Sequence, residues 1–440
     1  MLVSDLLWVR KHSRKMCPKL RTEVLNNYRP NKWLPCFLQP LVTRWRERYA
    51  KINVVIEQHE GCHEAELAGI DAAMKKHNCK VSHQLHLVNG FAGRLNLSSI
   101  AELAANPGIK KIWLDREVHA VLDIAPAVVQ APQVWDWGFT GEGITVAVVD
   151  TGIYPHPDIT SPTNRLIAFH DFVKNKSVAY DDNGHGTHVA GCVAGNGSSS
   201  DGRYKGPAPR AGLVGVKVLD RNGSGLLSTV IAGIQWCIEQ KDRLGIRVLN
   251  LSLGSSAQMG YKEDPVCKAV EKAWQAGIVV VAAAGNEGPE AGSVGSPAID
   301  PMIIAVGASD DNATVDKKDD TLADFSSRGP TIDGLQKPDV IAPGTNITSL
   351  AAPGSNLYKT MKNKRVDKNY FTLSGTSMAS PICAGVAALL LQANPQLTPT
   401  EVKIMLTENA QSIGCSRNEE GSGYVDIYSC IKHLQVSGDN

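Results

Sequence analysis

The 440-residue sequence lacks a charge excess of either sign. Its 45 Lys and Arg stand against 44 Asp and Glu, for a net charge of +1. That balance argues against nucleic-acid binding as the main role, because a phosphate backbone selects for a basic surface. No window reaches the roughly 20 uninterrupted apolar residues of a membrane span. The ten cysteines include no CxxC pair and no His/Cys cluster with metal-ligand spacing. The first apolar piece, Met1 to Val9, is short, is broken by Asp5 and precedes its basic cluster instead of following one, so it does not read as a secretory signal. Cys192, Cys237 and Cys383 fall in apolar helical patterns, where a free thiol behaves as a small hydrophobe. Together these features predict a cytoplasmic, reducing setting without a membrane partner.

What is present is a globular composition, 43% hydrophobic and 20% charged, long enough for one large domain and a smaller one. Residues 1–49 are basic and irregular, and read as an arm. From Lys51 the pattern changes. Ile52 to Ile56 reads as a strand, Glu64 to His77 as an amphipathic helix, Val81 to Leu87 and Gly90 to Leu95 as strands across an Asn-Gly turn, Leu97 to Ala105 as a second helix, and Ile109 to Trp113 as a strand. This β-α-β-β-α-β order is that of a small α+β ferredoxin-like unit over residues 50–120. Residues 121–133, with Pro126 and Pro132, read as a linker to a domain spanning 134–440.

In that domain, continuous apolar runs of strand length recur at Ile144–Val149, Leu213–Leu219, Val248–Leu251, Ile278–Ala282 and Met302–Val306. Helical patterns alternate with them at Gly186–Ala194, Leu227–Lys241, Val266–Ala276 and Met378–Leu391. Buried strands alternating with helices predict an α/β, doubly wound, mostly parallel sheet. Sites in such sheets gather just beyond the carboxyl ends of the strands.

Several polar residues occupy such positions. Asp150 follows the first run and is either a turn former or the carboxylate that orients a histidine. His185 and His188 share one helix face, yet His-x-x-His lacks the acidic base and spacing of a zinc peptidase helix. A neutral imidazole held by a carboxylate is a general base, and the spacing does not choose between the two. Asn286 follows the Ile278 run and offers an amide donor for an oxyanion. Ser377 opens the long apolar helix, as a cap or as a nucleophile placed where helix N–H groups favour negative charge.

Asp150-Thr151-Gly152, His185-Gly186-Thr187-His188-Val189-Ala190-Gly191, Ala284-Gly285-Asn286 and Gly375-Thr376-Ser377-Met378-Ala379, in this order, resemble the signatures of subtilisin-like serine proteases. Ser252-Leu253-Gly254, Phe325 to Pro330 and Ala342-Pro343-Gly344 are similar to the same family, over roughly Trp135 to Ile431. The resemblance implies a serine endopeptidase acting on proteins or peptides, with Ser377 as nucleophile, His185 as base, Asp150 as its orienting carboxylate and Asn286 in the oxyanion hole. It implies that Ser252, Leu253 and Gly254 pair with substrate backbone, and that Ala283, Ala284, Gly285 and Gly295 line a pocket favouring large apolar residues before the cut, with Glu287 at its rim. No cofactor is implied for catalysis. Structural Ca²⁺ is a family expectation, and Asp158 resembles one ligand position, but the sequence assembles no set of about six or more oxygens. The unit at 50–120 is similar to the family's inhibitory propeptide, which leads Asp115 to Ala120 into the cleft. A self-cleaving or inactive member serving as a binding scaffold is the alternative. One departure is Ile382, which stands where the family places a histidine.

Overall fold

A computed structural model describes residues 3–28, 39–59, 61, 64–85, 89–114 and 124–438. The chain divides into two compact units, 1–119 and 120–440. The expected cleft-binding segment Asp115–Ala120 lies outside the described residues.

In the first unit, strands β1 (Lys51–Gln58), β2 (Lys80–Leu85), β3 (Gly90–Asn96) and β4 (Ile109–Leu114) form an antiparallel sheet in the order β2-β3-β1-β4, with helices at Glu64–Lys76 and Leu97–Ala105. The β-α-β-β-α-β reading therefore holds. The irregular arm does not. Residues before 50 form helices at Val3–Lys11, Pro18–Asn27 and Gln39–Tyr49. Val9, Met16, Leu20 and Val24 are buried in one core with Ile56, Leu103 and Ile112. Leu20 and Val24, four apart, fall on one helix face. Each such burial removes about 1.5–3 kcal/mol of apolar exposure, which outweighs the basic residues between them. Cys17 starts its helix by accepting a bond from the Leu20 N–H, and its own N–H donates to the Ile112 carbonyl at 3.1 Å.

The linker reading also needs correction. Ala125–Val128 and Ala131–Trp135 are short helices, and Ala125, Val129, Ala131 and Val134 belong to the core of the second unit. Pro126 and Pro132 sit in their first turns, where a missing N–H costs nothing.

The second unit is built on β5 (Thr145–Asp150), β6 (Leu166–Asp171), β7 (Gly212–Lys217), β8 (Ile246–Leu251), β9 (Val279–Ala283), β10 (Ile304–Asp310), β11 (Thr321–Leu322) and β12 (Val340–Pro343). The order is β11-β10-β9-β8-β5-β7-β6, with β12 beside β10, and every pairing but β10–β11 is parallel. β5 and β9 are buried at every residue, as their unbroken Val and Ala require. From β5 the chain winds one way through β6 and β7, then the other way through β8 to β10. That reversal opens a crevice at the carboxyl ends of β5 and β8. A separate hairpin pairs β13 (Ile347–Leu350) with β14 (Tyr370–Leu373).

Thr376–Ala393 is the central helix. It is long and apolar enough to cross a membrane, but all of it except Ser377, Gln392 and Ala393 is buried inside the protein. Ile382 is fully buried, so its departure from the family pattern is a matter of packing.

Candidate active site

Asp150 ends β5 with its carboxylate fully buried. The turn after it is fixed from several sides. Its carbonyl accepts from the Val218 and Leu219 N–H groups, and Oδ1 accepts from the Thr151 N–H at 2.7 Å. His185 begins the helix His185–Ala194, and its Nδ1–H donates to Asp150 Oδ1 at 2.8 Å, with Oδ2 at 3.0 Å. The helix comes this close because residue 186 is glycine. A β-carbon there would lie 2.2 Å from the Gly152 carbonyl oxygen and 3.1 Å from the Asp150 side chain.

Burial alone would push the His185 imidazolium down. The charge and hydrogen bond of Asp150, with a further push from Asp181, outweigh it and hold His185 above the ordinary histidine value. His185 keeps 22% of its side chain exposed, toward a cleft of about 640 Å³. His188 differs in every respect. It is fully buried, Nε2 lies 3.1 Å and 3.0 Å from the carbonyl oxygens of Ile347 and Phe371, and burial pushes it down to about 3. Two carbonyl acceptors make Nε2 the protonated nitrogen of a neutral ring. His188 ties its helix to the β13–β14 hairpin, so the geometry separates two histidines that spacing left equivalent.

Ser377 enters the same cleft from the first turn of the central helix. Its hydroxyl donates to the Ser252 carbonyl at 3.2 Å. Pro381 stands four residues on, where an N–H would have bonded the Ser377 carbonyl. The Ser252 hydroxyl takes that place at 2.9 Å. Asn250 Nδ2 donates to the Ser252 hydroxyl at 2.9 Å, and Ser380 donates to Asn250 Oδ1 at 2.8 Å. The serine's turn is thus bolted to the carboxyl end of β8. The sequence reading missed Asn250 and Ser380; the signal for them was polar residues inside apolar runs, where each needs a buried partner.

Asn286, just past β9, accepts at Oδ1 from the Thr376 N–H at 2.9 Å and the Thr376 hydroxyl at 3.1 Å. With Oδ1 engaged, the donating end of the amide is the one available to the cleft that Asn286 lines. Ser252, Leu253, Gly254, Ala283, Ala284, Gly285 and Gly295 all line this cleft, with Glu287 among them.

Asp158, which resembles one calcium-ligand position of the family, is engaged by protein donors. Its Oδ1 accepts from the Ser199 N–H at 2.8 Å and the Ser198 hydroxyl at 3.3 Å, and Oδ2 accepts from the Tyr370 hydroxyl at 2.6 Å. Donors thus converge on both oxygens of this carboxylate. Among the described residues no three His, Cys, Asp or Glu are grouped to hold a metal ion.

A doubly wound α/β sheet that gathers an aspartate, a histidine, an asparagine and a serine at its crevice defines a hydrolase built around a serine. The chain belongs to the subtilase family, whose model matches residues 141–425. It is 48% identical over 409 residues to Serine protease AprX of Bacillus subtilis (strain 168), covering 90% of this chain and 91% of that protein. It is 39% identical over 304 residues to Subtilisin Savinase of Lederbergia lenta, covering 69% of this chain and 96% of that protein. The solved structure of the S41 psychrophilic protease is 33% identical with a TM-score of 0.55, over 65% of this chain and 92% of that one. The chain is a subtilisin-type serine protease, a hydrolase of proteins or peptides. Proteases of this family need no cofactor for catalysis.

Proposed function

We propose that the protein is an endopeptidase working through a Ser377 acyl-enzyme. Ser377 Oγ attacks the scissile carbonyl carbon while its proton passes to His185 Nε2. Asp150, on Nδ1, fixes the tautomer and stabilises the imidazolium. The oxyanion takes hydrogen bonds from Asn286 Nδ2 and the Ser377 N–H. His185 returns the proton to the leaving amine, and water then repeats the sequence to release the acid. A turn about the Ser377 side chain carries its hydroxyl from the Ser252 carbonyl to the imidazole. The observation that carries this reading is the 2.8 Å contact of His185 with Asp150 beside a cleft that also holds Ser377. The test is turnover of casein and of a chromogenic peptide by wild type and Ser377→Ala. Equal rates would sink the mechanism, and no turnover by a fully processed wild type would favour a binding scaffold.

The walls of Ala283, Ala284, Gly285 and Gly295 leave room for a large apolar side chain before the cut, and Glu287 at the rim adds acceptance of basic ones. A peptide panel varied at that position tests this, and a preference for small or acidic residues would contradict it. The unit before residue 120 is proposed as an intramolecular inhibitor and folding template, on the strength of its β-α-β-β-α-β sheet. A mostly parallel sheet closes long loops before its contacts form, so a template speeds it. N-terminal sequencing of wild type against Ser377→Ala reads this directly; a full-length wild type with full activity would refute inhibition. A cytoplasmic, reducing location is proposed from the eight cysteines among the described residues, Cys17 to Cys430, all of them free thiols. Cell fractionation with an antibody to the protein checks it.

A further inference from the structure

The aspartate–histidine contact depends on a turn that two buried, oppositely charged side chains grip from different elements. Lys217, at the carboxyl end of β7, is fully buried. Its ammonium donates to the Thr151 carbonyl at 2.5 Å, the Leu219 carbonyl at 2.8 Å and Asp182 Oδ1 at 2.8 Å. Asp181, buried in the loop before the His185 helix, accepts five hydrogen bonds. The Thr151 hydroxyl (3.0 Å), the Asn183 N–H (3.1 Å) and the Gly184 N–H (2.8 Å) reach Oδ1. The Thr187 N–H (2.9 Å) and hydroxyl (2.7 Å) reach Oδ2. Gly184, the residue before the helix, caps it with no side chain, so Asp181 serves as the cap from outside.

Both groups converge on Thr151. Its carbonyl is held by Lys217 and its hydroxyl by Asp181, while that hydroxyl accepts from the Gly186 N–H at 2.8 Å. Its own N–H holds Asp150 Oδ1. Neither side chain enters the cleft, so neither touches substrate. We infer that Lys217 and Asp181 are a positioning pair for the reaction, clamping Thr151 between them so that Asp150 meets His185 in one fixed geometry. The inference rests on the reading of Asp150, His185 and Ser377 given above.

The pair also sets opposite charges on the two sides of Thr151, and the Asp181 charge helps to hold the His185 imidazole up. The other titratable groups around it are Asp150 on β5, Asp182 in the same loop as Asp181, Lys174 bonded to Asp182 at 2.7 Å, and neutral His188 on the helix itself. Burial pushes the Asp181 carboxyl up, yet five converging donors leave no acceptor for a carboxyl proton, and it acts as an anion. Removing Lys217 takes away a cation and favours imidazolium. Removing the Asp181 charge does the reverse. A side chain that merely supports the fold would not displace the pH profile in two directions.

The experiment compares the full chain as wild type, Lys217→Met, Asp181→Asn and Ser377→Ala in kcat, KM and the pH profile of kcat/KM. Active sites are counted with a fluorophosphonate. The expected result is a loss of about 10–100-fold in kcat per labelled site for both charge variants, the scale of a misplaced general base. KM stays within about threefold, as expected for a change outside the binding groups. The acid limb moves to higher pH by about half a pH unit in Lys217→Met and to lower pH by about as much in Asp181→Asn. Limbs that overlay the wild type, or move the same way, overturn the inference. If either charge variant does not fold, Thr151→Val and Thr151→Ser read the same clamp: Val, without a hydroxyl, loses kcat and Ser restores it, whereas a fully active Val variant overturns it. A Ser377→Ala variant that still turns over points instead to failure of the underlying mechanism.

Discussion

At the carboxyl end of β5 the protein buries Asp150, Asp181 and Lys217; at the amino end of β10, on the opposite side of the same sheet, it buries Lys337 beside half-sheltered Asp339 and Lys403. The ingredients are alike. At the amino end the two lysines and Asp339 answer one another. Lys337 donates to the Ile303 carbonyl at 3.1 Å and to Asp339 Oδ2 at 2.6 Å, while Lys403 donates to the carbonyls of Pro301 and Ile303, each at 2.8 Å, and meets Asp339 Oδ1 at 2.9 Å. Burial pushes Lys337 down to about 8 against the pull of Asp339. Burial would push Asp339 up, but the two lysines hold it below the usual carboxylate range. At the carboxyl end the network stops one atom short of closure. Among the described residues His185 Nε2 has no protein partner, and beyond it lies the cleft. Buried charge stabilises where it is closed; where one ring nitrogen faces a cleft that Ser377 also lines, it is left over for the proposed chemistry.

The comparison can be broken from either side. Ser377→Ala should lower kcat by about six orders of magnitude, the scale already known for this family when its nucleophile is lost, and abolish fluorophosphonate labelling with little change in melting temperature. A fall in stability that matched the fall in activity would mean that both ends are structural. Asp339→Asn should do the opposite. It leaves two sheltered cations without their anion, which costs about 3–5 kcal/mol. Thermal melting should fall by many degrees, while kcat/KM per labelled site at a permissive temperature stays at the wild-type value. A selective loss of kcat would show that the two ends are coupled. Asn286→Ala sharpens the distinction within the site, with an expected loss of about 10²–10³ in kcat, again the size known in this family for one oxyanion donor. KM should barely move, since the donor acts on charge that develops in the transition state.

Much of the working end was legible because strand ends are marked in sequence. Asp150, Asn286 and Ser252 each follow an apolar run, and the parallel sheet was readable from runs without alternation. The helix that begins with His185 showed itself by pattern, but the choice between His185 and His188 did not. It depends on which ring meets the Asp150 carboxylate and which meets the carbonyls of Ile347 and Phe371, and those acceptors lie about 160 residues or more downstream. The same holds for Lys217, an ordinary lysine until the fold sets its ammonium against Thr151. At the amino end almost nothing was legible, since Lys337 and Lys403 meet backbone carbonyls and Asp339 accepts from the Ala305 N–H, and backbone partners carry no sequence signature. The residues before 50 misled for a different reason. Their basic side chains are conspicuous, whereas the apolar face of Leu20 and Val24 is narrow.

The smallest expected effect is also the one that separates the two histidines most cleanly. A general base must be neutral, so kcat/KM should rise with pH through the ionisation of that base. His185 is held above 6.5 by Asp150, whereas His188 is pushed down to about 3. The acid limb of the profile should therefore fall above pH 6.5; a limb at acid pH near 3 would make His188 the base and dismantle the site as described. Stability runs the other way. Because the folded protein raises the His185 pKa, its share of stability is complete below the unfolded value of about 6.5 and is lost as pH rises through the folded value. Asp339, held low, contributes stability above the unfolded carboxylate value and loses it only as pH falls through the folded one. Melting curves across pH 5–9 for wild type and His185→Gln should then differ most at the acid end and converge as the imidazole loses its proton. The same rise in pH that releases His185 from its ion pair leaves Asp339 ionised at the far end of the sheet, while Lys337, pushed down to about 8, gives up its proton toward the top of that range.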